Sequence, residues 1–234
     1  MAIRIEEFYK NLEIEDEDKL RAKNALKAKG VEKHILIKNK LLNWVIDNKV
    51  RYSQVASTYR YDKRIRKVLF KFISYLEELY RAVILDNYYN NYDVLIDEIK
   101  DEVHKYDGNL NEVLEDLEFR LLLKQVKVLP QEVRSLCPLP PRRIRENTFA
   151  LKELRNAVMH NKFLLLYRGF AVCYVKGVDN NKSANLKANI LNLISFLPKE
   201  VGKKCRDEIN ACKDERDNID KTRWDLPEQI IISI

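Results

Sequence analysis

From Tyr59 to Asp86 apolar residues return at i, i+3, i+4 and i+7 with little interruption: Ile65, Val68, Leu69, Phe72, Ile73, Leu76, Leu79, Tyr80, Val83 and Ile84. A period of 3.6 with so wide an apolar face predicts a central core helix, with Asp62 able to cap its start. The same reading predicts helices at 16–29, where acids open the first turn, lysines close the last and Gly30 stops it. Further helices follow at 31–47 (Val31, Ile35, Leu42 and Val45 inward), 93–106 and 110–128, with a short one opening at Pro130. Leu151 to Lys162 reads as a helix capped by Asn147 or Thr148, with Leu151, Leu154, Val158 and Leu165 on its core stripe. Two more helices, 184–197 and 198–214, meet at Pro198, and the apolar end Ile231-Ile232-Ser233-Ile234 either docks on the body or meets a partner. Residues 1–15 and 50–58 give no clear period.

Five glycines and six prolines in 234 residues agree with long helices and short connections. The expected fold is all-α and a single domain. Its core covers about residues 50–200, with a helical extension at 1–49 and C-terminal helices and tail at 183–234.

Composition narrows the classes. No uncharged run approaches the ~18 residues of a membrane span, and the opening Met1-Ala2-Ile3-Arg4-Ile5-Glu6-Glu7 has no apolar signal core. A cytoplasmic protein without membrane attachment is expected. Cys137, Cys173, Cys205 and Cys212 lack C-x-x-C spacing, so neither a zinc site nor a disulfide framework is indicated. The net charge of +7 is uneven. Arg120 to Arg168 holds eleven Lys/Arg against three Asp/Glu, a local +8, so the remainder sums to about −1. Such a field attracts phosphate and makes binding salt-sensitive.

The basic stretch surrounds the predicted helix of residues 151–162. At about 100° per residue, Asn156 and His160 fall opposite its apolar stripe, and Arg155 is long enough to bend toward His160. The chain has three histidines; only His160 has such polar company. The string Arg155-Asn156-Ala157-Val158-Met159-His160 resembles the R-N-x-x-x-H active-site motif of HEPN-fold ribonucleases. Extended to Leu154 and through Asn161 to Phe163-Leu164, it is similar to the Abi-like, or abortive-infection, branch of that superfamily. Tyr59-x-Tyr61-Asp62-x-x-Ile65-Arg66, followed by Glu77-Glu78 and Arg81, is similar to a second helix of the same branch, with Ile65 where Leu is usual. The resemblance covers Tyr59 to about Leu166, while the first fifty residues lack the Tyr- and Arg-rich segment of many Abi-like proteins.

The resemblance implies an HEPN-like helical bundle with extra N- and C-terminal helices. It also implies an endoribonuclease that cuts RNA by attack of the 2′-hydroxyl, leaves 2′,3′-cyclic phosphate ends, and needs no metal or other cofactor. The residue chemistry agrees. An imidazole at His160 can take and give protons near neutral pH. A guanidinium at Arg155 stays charged and donates to phosphate oxygens in a fork. Asn156, one turn before His160, can orient the ring or bind a phosphate or ribose oxygen. Arg142, Arg143, Arg145, Lys152, Asn161 and Lys162 are the expected RNA contacts. Glu77 and Arg81 form an i, i+4 ion pair that is either structural or orients the site from behind. One His and one Arg make a thin site, so a homodimer that pools two motif helices is implied. The partners are then RNA and an antitoxin, protein or RNA, or an infection trigger, for a toxin or antiphage effector. The alternative is an HEPN-like dimer that binds RNA or a partner protein without cutting.

Overall fold

The fold is all-α, as the apolar periodicity predicts. The computed structural model describes residues 2–88, 91–105, 108–137, 144–167, 169, 173, 175, 185–214 and 224–234. Among these, the helices are α1 (Ala2–Tyr9), α2 (Asp16–Lys29), α3 (Val31–Leu42), α4 (Tyr52–Tyr88), α5 (Asp97–Lys105), α6 (Leu110–Asp116), α7 (Phe119–Val128), α8 (Gln131–Arg134), α9 (Ile144–Met159), α10 (Leu186–Ser195) and α11 (Lys199–Asn210). Two short parallel strands, β1 (Leu12–Glu13) and β2 (Val50–Arg51), pair Leu12 with Val50. Among the described residues no helix is long and apolar enough to cross a membrane.

Contacts gather the chain into two compact units, with the boundary inside α4. One holds Met1–Arg66 and Ile209–Ser233, and the other holds Lys67–Glu208 with Ile234. The single domain expected from sequence, with its extensions, takes in both units.

In the first unit, Gly30 ends α2 as predicted. Its φ of 83° suits a residue without Cβ, and its N–H donates to the Leu26 carbonyl. α3 stops at Leu42, short of the predicted Asp47, and buries Ile35, Ile37 and Leu41. Lys38, 3% exposed, donates from Nζ to the Glu7 and Lys10 carbonyls and so satisfies acceptors at the end of α1. α4 starts seven residues before the predicted Tyr59, because Tyr52 and Val55 carry the buried stripe about two turns further back. Asp62 therefore does not cap the helix. It lies buried within it and pairs with Arg66 one turn on. The tail docks: the Ile232 N–H donates to the Tyr61 hydroxyl at 2.8 Å, and Asp225 accepts from Arg51 and Ser53.

His34 is buried. Its Nδ1–H donates to the Gly30 carbonyl at 2.8 Å, and its ring stacks on Tyr59 with centroids 5.4 Å apart. Burial, opposed in part by the Gly30 bond, lowers its pKa from the usual 6.5. A base with a lowered folded-state pKa binds fewer protons folded than unfolded. Its contribution to stability is therefore intact above about pH 6.5 and is lost as pH falls toward the folded value. Urea unfolding across pH 5–8 should show this loss with a slope of up to about 1.4 kcal/mol per pH unit. It should be missing from His34→Phe; an unchanged slope in that variant would disprove the assignment.

In the second unit, the stripe from Leu69 to Ile84 on α4 is buried as predicted, and Val68 and Leu79 are half-buried at its edge. The region 110–128, read as one helix, is two. Leu117 turns extended, with ψ 130°, and both Leu117 and Phe119 are thereby buried. α10 is capped by Asn185, whose side-chain oxygen accepts from the Ala188 N–H.

Candidate active site

α9 begins at Ile144, not at a cap on Asn147 or Thr148. Both are buried inside the helix: the Asn147 carbonyl accepts from Asn192 Nδ2, and Thr148 Oγ donates to the Arg145 carbonyl. Burial within the unit explains the difference: Asn147 gains a partner from α10, and Thr148 bonds back to its own helix, as a mid-helix threonine does. Leu151, Leu154, Ala157 and Val158 face the core. Asn156 is half-buried and His160 exposed, opposite them, as the helical period requires.

The C-terminal end is set by backbone geometry. The Lys162 N–H reaches the Ala157 carbonyl at 2.9 Å, and the Asn161 N–H reaches Val158 at 3.1 Å. With Asn161 at φ 52°, this is a Schellman stop, and His160 is its C-cap residue. Asn161, expected as an RNA contact, thus also has a structural reason for its identity: asparagine tolerates the left-handed conformation better than most residues. Leu165, expected on the α9 stripe, lies beyond this stop in a short 3₁₀ turn, Leu164–Leu166, and is half-buried.

Arg155 does not bend toward His160. It crosses to α4, where its Nε donates to Glu77 Oε1 at 3.0 Å. Glu77 Oε2 accepts from Arg81 at 3.4 Å, and Arg81 Nε donates to the Leu114 carbonyl at 2.7 Å. That carbonyl lies in the last turn of α6, where the helix leaves it no N–H partner. The Arg155 guanidinium also lies over the Phe119 ring, 5.9 Å from its centroid. The Glu77 side chain is 9% exposed and that of Arg155 29%. One buried carboxylate therefore holds two arginines. Among the described residues no hydrogen bond engages the two Nη groups of Arg155, and none engages the His160 ring.

The structure brings together Arg155, Glu77 and Arg81, and leaves Asn156 and His160 one turn apart on the neighbouring face of α9. Phe119 and the Leu114 carbonyl were missed from sequence, because the break that positions them carries neither Gly nor Pro. Arg145 and Lys162 are exposed and Lys152 half-buried, with its Nζ 4.5 Å from the centroid of Phe149. Arg142 and Arg143 lie outside the described residues.

Among the described residues no three His, Cys, Asp or Glu side chains group as metal ligands. The four cysteines are buried and unbonded to one another, and burial pushes the Cys137 thiol up to about 11. In comparisons with known proteins, no family model, no curated protein and no solved structure matches this chain.

Proposed function

We propose that this protein is a metal-independent endoribonuclease of the HEPN, Abi-like type, acting as a toxin or antiphage effector. The observation that carries the reading is the guanidinium of Arg155, tied by Nε to buried Glu77 with both Nη groups unengaged among the described residues, on the helix that ends at exposed His160. The anchored fork can grip two phosphate oxygens and offset charge that builds on them as phosphorus becomes pentacoordinate. The RNA 2′-oxygen attacks the adjacent phosphorus and the P–O5′ bond breaks. The 2′-hydroxyl proton passes to an imidazole, and the leaving 5′-oxygen takes a proton from one. Products are a 2′,3′-cyclic phosphate and a 5′-hydroxyl. Arg145, Lys152 and Lys162 supply further positive charge on the motif helix and just past it.

A homodimer would give the reaction two imidazoles, one as base and one as acid. Half-buried Met159 and Phe163, which flank His160 in the chain, suit such an interface. An antitoxin, protein or RNA, or an infection trigger then restrains the activity in the cytoplasm. One observation favours a second reading, a dimer that binds RNA or a partner protein without cutting: Arg155 is paired with Glu77 and makes no hydrogen bond to His160.

The test is cleavage of a labelled mixed-sequence RNA in EDTA. Wild type should yield 2′,3′-cyclic phosphate ends, Arg155→Ala should be slower by about 10²–10³-fold, and the matching DNA should stay intact. Cleavage that stops in EDTA, or cuts DNA equally, would sink the nuclease reading; RNA binding without cleavage would favour the second.

A further inference from the structure

On α9, residues 145, 149, 152, 156 and 160 recur at helical spacing and share one face. At its N-terminal end this face joins α7 to form a groove of about 520 Å³, within the range of pockets that take small ligands. Arg120, Lys127, Arg145 and Lys152 bring four positive charges to it, against one carboxylate, Glu146. Arg120 has a loose surface pair with Glu118 at 3.7 Å, and Lys152 lies 3.6 Å from Glu153. Among the described residues Lys127 and Arg145 have no acidic partner. Burial, and then the nearby Arg145, push the Lys127 ammonium below its usual range. Two like charges, Lys127 and Arg145, held together with no carboxylate among the described residues paired to either, are relieved by an anion. Beside them Phe149 leaves 48% of its surface in water; Lys152 Nζ lies over its ring, 4.5 Å from the centroid, and the exposed remainder of the ring offers a surface for stacking.

We infer that this groove is a binding subsite for single-stranded RNA, with phosphates on Lys127, Arg145, Lys152 and Arg120 and an unpaired base stacked on Phe149. The inference rests on the ribonuclease reading for its choice of RNA. Phe149 and His160 are eleven residues apart, about 16 Å along the axis and about 20° around it. A strand seated in the groove therefore runs past Asn156 toward His160 and reaches it a few nucleotides away. The subsite selects for an unpaired strand of several nucleotides, since a duplex keeps its bases stacked on each other.

The experiment is fluorescence anisotropy in EDTA with a labelled 12-nucleotide RNA, every variant carrying His160→Ala to slow cutting below the time of the measurement. Lys127→Ala and Phe149→Ala should each weaken binding by about tenfold. Lys127→Ala should also flatten the plot of log K against log salt by about 0.7, and Phe149→Ala should not. Lys203→Ala, an exposed lysine on α11, is the charge control. Groove variants that shift binding no more than Lys203→Ala would overturn the subsite, as would no binding of the RNA at all. Competition by polyglutamate equal to that by RNA would overturn it in favour of an acidic protein segment. Groove-dependent binding without cleavage by the wild type leaves the subsite standing and removes the nuclease; cleavage with indifferent groove variants does the reverse.

Discussion

His160→Ala is expected to slow RNA cleavage by about 10²–10⁴-fold and to leave the unfolding free energy within about 0.5 kcal/mol of wild type. The ring is exposed and among the described residues has no hydrogen-bond partner, so its removal opens no cavity and orphans no buried group. The helix stop it occupies is built from backbone bonds: His160 N–H to Asn156, Asn161 to Val158 and Lys162 to Ala157. Alanine can make the first of these equally well. In the proposed nuclease the cost to cleavage is that of losing a proton carrier. His160→Ala with near-normal cleavage would remove the imidazole from the mechanism. A large loss of stability would instead show that the ring packs against something in solution. Rates under single-turnover conditions and urea midpoints on the same preparations give both readings.

Glu77→Ala is expected to be the costly structural change, about 2–4 kcal/mol, and to depress cleavage with it. Breaking a buried ion pair commonly costs ~3–5 kcal/mol, because a charge is left without its partner. Here the side chains of Arg155 and Arg81 keep 29% and 25% of their surface in water, which softens the penalty. The two guanidinium groups would then face a site with no anion, and Arg155 would lose the bond that fixes its Nε. Adding Arg155→Ala to Glu77→Ala should therefore restore part of the lost stability, whereas Arg155→Ala alone should lower it. A double-mutant cycle in urea separates the cases. Strictly additive effects, or a Glu77→Ala cost below about 0.5 kcal/mol, would mean that the pair does not tie α4 to α9.

Much of this side-chain arrangement is legible in the sequence, for physical reasons. The α4 stripe follows from apolar period alone, and the i, i+4 spacing of Glu77 and Arg81 makes them neighbours on any helix. Asn156 and His160 lie off the core because 100° per residue leaves them no choice once Leu151, Leu154 and Val158 are inward. The direction of Arg155 was not legible. A long side chain near 90° from the stripe can bend either way, and a buried carboxylate 78 positions earlier decides it. The break at Leu117 was equally silent. It brings Phe119 under Arg155 and frees the Leu114 carbonyl for Arg81, yet no residue at the break favours a turn. Asn147 and Thr148 misled because their preference for helix starts is real and local, while burial among other helices is not written locally.

The discontinuous first unit sets an order of events during synthesis. The unit that holds α9, closed by Glu208 apart from Ile234, is complete in sequence while the other still waits for Ile209–Ser233. About 140 residues separate the two segments of the first unit, roughly 7–28 s of elongation at about 5–20 residues per second. Throughout that interval Tyr61 lacks the N–H of Ile232, and Ser53 lacks Asp225. The nascent chain therefore carries its α9 motif and basic groove out of the ribosome before the tail can clasp α4, in the immediate presence of translating RNA.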